Sequence, residues 1–326
     1  MSRGASFLRE AVVVGGGVIG LTAARRLQQA GFRVRVLARA YSPHTTSDRA
    51  AAVWFPYKAE PAERVAAWAQ ATYRAYRNLA EVPASGVRFV DLAVVSRRQL
   101  TEPGWRTAEI PFERLPPDEL PADRTSGYRV RVPMVVAPRF LAWLRSEVEA
   151  AGGVCETVEV TALGAVCPPG GVVVNASGLG AAQLTGDRDL FAIRGQTAVV
   201  RPQRPLGHLA DDDDGEAPVY LLPRGDDEVV LGGTAVVSEE RAGDEPPPDR
   251  ATHRRILERA TALEPALAGC HVLRAEVGLR PGRSAVRLDA EPLPGGGRRI
   301  HCYGHGGSGF TLCWGCADEV AALAAG

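Results

Sequence analysis

Three glycines, Gly15, Gly17 and Gly20, carry the first chemistry legible in this chain. Their G-x-G-x-x-G spacing, with Gly16, Val18 and Ile19 between them, follows the apolar run Ala11-Val12-Val13-Val14 and opens a stretch of helical spacing. One glycine suits a tight turn, the next lets backbone amides approach a pyrophosphate, and the third lets helix and strand pack closely. The helix N-terminus adds unpaired N–H groups and the positive end of its dipole. Arg39 stands where the second strand of such a unit usually carries an acid for the adenosine ribose. It leaves two readings open, a 2′-phosphate and hence NADP, or contact with an adenine. Lys58 is the only lysine among 38 basic residues, so Schiff-base chemistry would rest on it alone. A bound carboxylate or phosphate falls instead to arginine, whose planar fork suits it. Cys313 and Cys316 spell C-x-x-C, but no second pair stands at metal-ligand spacing. They are read as two buried thiols, and no metal site is identified. His305, in a Gly-His-Gly-Gly loop, is read as structural rather than as a base.

The elements that position these residues follow from periodicity. The run 11–14 reads as a strand buried on both faces, 18–27 as a helix capped by Gly31, and 33–37 as a second strand. Together they form a βαβ unit of about 30 residues. Helical spacing recurs over 61–79 and 138–151, and a terminal helix is expected over 311–325. Residues 171–178 read as another buried strand running into a small-residue turn. Residues 219–223 and 228–233 read as a hairpin around Arg224-Gly225-Asp226-Asp227. The acidic run from Asp211 to Asp214 is expected to be a solvated surface loop.

Composition narrows the class. The 326 residues suit about two domains, and 45% hydrophobic residues can build a real core. Thirty-eight basic residues balance 38 acidic ones. That neutrality supports neither a nucleic-acid binder nor an electrostatic membrane anchor. No apolar stretch reaches the ~18 residues of a membrane span. Six cysteines in a chain of this length, with no signal peptide read ahead of them, are taken as reduced thiols in a cytoplasmic protein.

Three separated segments carry a resemblance. The first is the βαβ unit followed by Thr45-Thr46-Ser47-Asp48-Arg49-Ala50-Ala51-Ala52-Val53-Trp54-Phe55-Pro56-Tyr57. The second is Val277-Gly278-Leu279-Arg280-Pro281 with Val286-Arg287-Leu288. The third is Tyr303-Gly304-His305-Gly306-Gly307-Ser308-Gly309-Phe310-Thr311 with Trp314-Gly315. In this order they resemble the FAD-dependent D-amino acid oxidase family, which includes D-aspartate oxidase. The resemblance implies a mixed α/β (α+β) flavoprotein. A Rossmann-like FAD-binding domain would be built from discontinuous segments 1–57, 134–195 and 275–326. A sheet-rich substrate domain would comprise 58–133 and 196–274.

The resemblance also implies roles. Arg280 would pair with the substrate carboxylate, Tyr220 would hydrogen-bond it, and the Gly307 carbonyl would accept from the substrate amine. Phe55 and Leu222 would line the side-chain pocket. Gly15, Gly16, Gly17, Val18, Ile19 and Gly20 would serve the pyrophosphate. Arg39 and Ala40 would lie near the adenosine, and Thr45, Thr46 and Ser47 near the phosphates. Ala51, Ala52 and Val53 would approach the isoalloxazine, with Val158 and Ser177 as further contacts. Gly306, Gly307, Ser308, Gly309, Phe310 and Thr311 would wrap the pyrimidine edge. The implied activity is oxidation of a neutral D-amino acid, with O2 as acceptor and hydrogen peroxide as product. D-Aspartate or glycine oxidation, and an NADP-dependent reductase, stand as alternatives. A homodimer is compatible with all of these. The second tyrosine that vertebrate members carry on a mobile lid is replaced here by Glu216, so no lid is expected.

Overall fold

The computed structural model describes residues 9–56, 59–213, 218–225, 227–244, 246–293 and 296–326. Lys58 and Glu216 lie outside the described residues. The chain begins β1 (Glu10–Val14), α1 (Val18–Gln29), β2 (Arg33–Ala38), α2 (Ala62–Leu79), β3 (Val87–Ser96), β4 (Phe112–Arg114) and β5 (Ser126–Val135). It continues α3 (Ala137–Ala150), β6 (Val154–Thr157), α4 (Leu163–Val166), β7 (Val172–Asn175), α5 (Ala181–Thr185), β8 (Phe191–Arg201) and β9 (His208–Asp211). It ends β10 (Val219–Arg224), β11 (Glu228–Gly232), β12 (Val236–Ser238), α6 (Arg250–Leu263), β13 (His271–Gly282), β14 (Arg287–Pro292), β15 (Arg298–Tyr303) and α7 (Gly309–Ala325).

Two sheets organise these elements. A six-stranded sheet has the order β14-β15-β7-β1-β2-β6, parallel except where β14 meets β15. Its central strand β1 is flanked by β2 and β7, which is why 11–14 is apolar without alternation. Helix α1 packs on α7, and the Thr22 hydroxyl reaches the Cys313 carbonyl at 3.3 Å. Helix α2 packs on α7 from another side; a Cβ on Gly315 would stand 2.4 Å from the Trp68 backbone, so only glycine allows this approach. The second sheet has nine strands, with β13 pairing β8 along eleven registered positions from His271↔Arg201 to Gly282↔Phe191. The junctions expected at 195/196 and 274/275 fall inside β8 and β13, so single strands run through both.

Alternation divides the second sheet into two faces. Ala198, Val200, Leu221, Val229 and Leu231 pack outward with Ile256, Ala260 and Leu263 of α6. Tyr220, Leu222 and Arg224 therefore share the opposite face of β10. Register carries that face through Gly232 of β11 and Thr197 and Gly195 of β8 to Glu276, Gly278 and Arg280 of β13. The expected hairpin is present as β10 and β11.

Asp211 and Asp213 correct the expectation for the acidic run, whereas Asp212 is exposed as expected and Asp214 lies outside the described residues. Asp211 closes β9, and its side chain is only 7% exposed against Arg124, also 7% exposed, at 2.5 Å. Asp213 accepts from the Ser96 hydroxyl and the Arg97 amide at 2.5 and 2.8 Å. A partly buried guanidinium thus gathers carboxylates that composition alone assigned to solvent. The terminal helix also starts two residues earlier than expected, at Gly309.

Candidate cofactor and substrate site

A cleft with a cavity volume of about 290 Å³ runs from the β1–α1 turn to β13. Its nucleotide end is made of backbone. Gly15 has φ +130°, and a Cβ there would stand 2.2 Å from the Ala176 carbonyl oxygen. A Cβ on Gly16 would meet the Ala40 carbonyl oxygen at 2.6 Å, and one on Gly20 the Gly15 carbonyl oxygen at 1.9 Å. Gly20 does not line the cleft; it lets α1 lie on the turn. The Ser47 hydroxyl accepts from the Val18 amide at 3.1 Å, so it stands at the α1 N-terminus where phosphate oxygens are favoured. Thr45 and Thr46 line the cleft beside it.

Asp48 was not singled out in sequence. It is 3% exposed and accepts from the Thr45 amide (2.9 Å), the Thr45 hydroxyl (2.6 Å) and the Ser42 hydroxyl (2.5 Å). The legible signal was Thr45-x-x-Asp48, the spacing of a capping box, and the structure forms one here.

The far edge of the nucleotide end holds Arg39, Ala40 and Val158. Arg39 donates to the Ala242 carbonyl at 3.3 Å, and its guanidinium lies over Gly243. Ser177 lines the opposite wall and donates to the Asn175 side chain at 2.6 Å. Gly306, Gly307, Gly309 and Phe310 line the cleft where α7 begins. Ser308 is buried beneath them. The Thr311 hydroxyl lies 3.1 Å from both the amide and the carbonyl of Phe55, fixing that segment to α7.

Ala51, Ala52 and Val53 follow Ala50 of the cleft wall and do not line the cleft themselves. Ala52 accepts from the Val135 amide, and Val53 bridges to Met134. Ala52 is held at φ +57°, a left-handed conformation that costs an alanine of order 1 kcal/mol or more. Phe55 meets the Trp105 ring edge-on at 5.3 Å and borders a separate hollow.

The substrate end is made of side chains. Arg280 lines the cleft and donates to the Thr234 carbonyl at 2.9 Å. Its guanidinium lies flat over Gly195, where a Cβ would stand 2.3 Å from it. The Tyr220 ring lies over Gly232, where a Cβ would stand 1.8 Å from it, and the Tyr220 hydroxyl approaches Gly233. Arg280 and Tyr220 thus flank Gly233-Thr234, although 60 positions separate them. Gly195 and Gly232 were not singled out; glycine inside a strand was the available signal of a close approach. Asp187 braces the wall below. Burial raises its carboxyl, but the Tyr303 hydroxyl (2.8 Å) and Arg283 (3.1 Å) outweigh that and hold it below its ordinary value.

A cleft that starts at a glycine-rich turn and a helix N-terminus is the arrangement of a dinucleotide-dependent enzyme. Gly15, Gly16 and Gly17 on the cleft wall, with the Ser47 hydroxyl at the α1 N-terminus, fit the pyrophosphate of FAD. The family model "FAD dependent oxidoreductase" (DAO) matches residues 10–323, and the chain belongs to this family. It is 47% identical over 315 residues to a D-amino-acid oxidase of Rubrobacter xylanophilus, covering 96% of this chain and 95% of that protein. It is 43% identical over 321 residues to a D-amino-acid oxidase of Streptomyces coelicolor, covering 97% and 96%. A glycine oxidase structure from Bacillus cereus superposes with a TM-score of 0.79 at 18% identity over 97% of this chain and 95% of that one, a likeness of fold. The cofactor is FAD, which decides the question Arg39 left open. Among the described residues no helix is long and apolar enough to cross a membrane.

Proposed function

We propose that this chain oxidises neutral D-amino acids to 2-oxo acids and ammonia. The observation that carries the reading is Arg280 on the inner face of β13, at the end of the nucleotide cleft, with Tyr220 beside it across Gly233-Thr234. Arg280 pairs with the substrate carboxylate, and a charge-assisted pair of this kind selects geometry as well as charge. Tyr220 adds a hydroxyl donor to the same carboxylate, and the Gly307 carbonyl accepts from the amine. Two contacts hold the carboxylate and one the amine, and together with the placement of the side chain they direct the Cα hydrogen; orientation of this kind is the main task left to the protein. The Gly15–Ile19 turn and Ser47 would hold FAD, which would supply a two-electron acceptor for the Cα hydride and, with two protons, the reduction of O2 to hydrogen peroxide. The imino acid left behind adds water and loses ammonia. Leu222 is buried on the inner face of β10 and Phe55 borders the neighbouring hollow, and we infer that the substrate side chain points toward them. The segments 9–56, 158–184 and 298–326 serve the cofactor and the inner face of the second sheet serves the substrate, a division we infer from which residues line the cleft. Six free cysteines support a cytoplasmic setting.

A second reading, oxidation of an acidic D-amino acid, is favoured by Arg224. It shares the inner face of β10 with Tyr220 and Leu222 and donates to the Ala50 carbonyl at 2.5 Å. Its Nε is buried without a partner among the described residues. Such a cation would receive a side-chain carboxylate.

A visible spectrum of the yellow protein under anaerobic conditions tests both. Bleaching by D-alanine or D-methionine and not by their L-forms is expected. Faster bleaching by D-aspartate would shift the assignment to Arg224. No bleaching by any D-amino acid would remove the reading.

A further inference from the structure

The C-x-x-C pair of the sequence is not a pair in the fold. The Cys313 thiol faces the Tyr76 hydroxyl at 3.4 Å and the Phe310 carbonyl at 3.6 Å. Cys316 turns instead to Cys302 at the end of β15 and to His305 three residues later. Gly304 (φ +83°) and Gly306 (φ +53°) supply the reversal that folds α7 back over the strand end. The two thiol sulfurs and one imidazole nitrogen all lie within 4.8 Å of one another. Cys302 Sγ and His305 Nε2 are 4.0 Å apart. The three residues are 1%, 3% and 0% exposed.

We propose that Cys302, His305 and Cys316 bind one thiophilic closed-shell metal ion, Zn2+ or Cu(I). Metal–sulfur bonds of about 2.3 Å and metal–nitrogen bonds of about 2.0–2.1 Å separate neighbouring donors by roughly 3.5–4 Å. The Cys302–His305 pair, at 4.0 Å, needs to contract by at most about half an ångström, and the remaining separations, all within 4.8 Å, by about an ångström at most. Two thiolates and an imidazole are soft donors, and no carboxylate belongs to the cluster, so Mg2+ and Ca2+ are disfavoured. Binding forms two metal–sulfur bonds and one metal–nitrogen bond and releases the two thiol protons to solvent. Cys302 and His305 also line the cleft, and the site lies at the root of the 304–309 turn. An ion there would tie β15 to α7 beneath Gly306 and Gly307.

The test uses the FAD-loaded protein, reduced, saturated with Zn2+ or with Cu(I), and desalted. Elemental analysis should find one ion per chain, and X-ray absorption at its edge should count two sulfurs and at least one nitrogen. The metal retained when both are offered separates Zn2+ from Cu(I). Cys302→Ser and Cys316→Ser should each weaken binding by more than the 10- to 100-fold typical of losing an outer partner. Cys313→Ser, buried on the same helix, should retain the ion. No retained ion, fewer than two sulfurs, or equal loss in Cys313→Ser would overturn the site. If a serine variant does not fold, the sulfur count in the wild-type protein decides alone.

Discussion

The two ends of the cleft are built from opposite materials. At the nucleotide end, an added Cβ on Gly15, Gly16 or Gly20 meets a backbone carbonyl within 1.9–2.6 Å. At the substrate end, an added Cβ on Gly195 or Gly232 meets the functional side chain itself, within 1.8–2.3 Å. Backbone cannot yield without moving a strand, whereas Arg280 and Tyr220 can swing away. The first end therefore ties cofactor binding to folding. The second allows recognition to fail while the fold and the flavin remain.

Gly20→Val is the most severe way to probe this contrast. Overpacking commonly costs about 1–3 kcal/mol, and an immovable carbonyl at 1.9 Å places this change at or beyond the upper end. The variant should be isolated without flavin colour and with a lowered melting temperature. A yellow protein of unchanged melting temperature would contradict the backbone account.

Arg280→Ala comes next. Truncating one partner of a buried charge pair costs about 2–5 kcal/mol, so kcat/KM for D-alanine should fall by about 30- to 5000-fold. The 450 nm flavin band should persist. Unchanged kinetics would take the arginine out of its role.

Gly232→Ala and Gly195→Ala sharpen the contrast from the other side. Each should displace Tyr220 or Arg280 and raise the D-alanine KM by about tenfold, about 1.4 kcal/mol. Flavin content and melting temperature should stay near wild type. Loss of flavin instead would show that the two ends are one mechanical unit.

The smallest effect concerns pH. Asp187 has a depressed pKa, so the stability it contributes is complete above the ordinary carboxylate pKa of about 4 and is lost as pH falls through its lower folded value. Denaturant midpoints measured from pH 6 to pH 3 should fall less steeply in Asp187→Asn than in the wild type. Parallel curves would remove Asp187 from the acid response.

Residues close in sequence were readable because their chemistry is local. The G-x-G-x-x-G turn, helix α1 and strand β2 lie within some 30 positions, and their backbone constraints appear as residue types. The hairpin 219–232 and the buried C-x-x-C thiols were legible for the same reason, through alternation and apolar surroundings. The acidic run misled because its partner, Arg124, is about 90 positions away in sequence. Arg280 and Tyr220 could be named from family motifs, but their meeting across Gly233-Thr234 depends on β8, β11 and β13 lying in register. Cys302 joins Cys316 only because two left-handed glycines reverse the chain between β15 and α7. Residue type and spacing determined the cofactor turn of this protein. Long-range pairing of strands, which no local pattern encodes, decided which side chains share a wall.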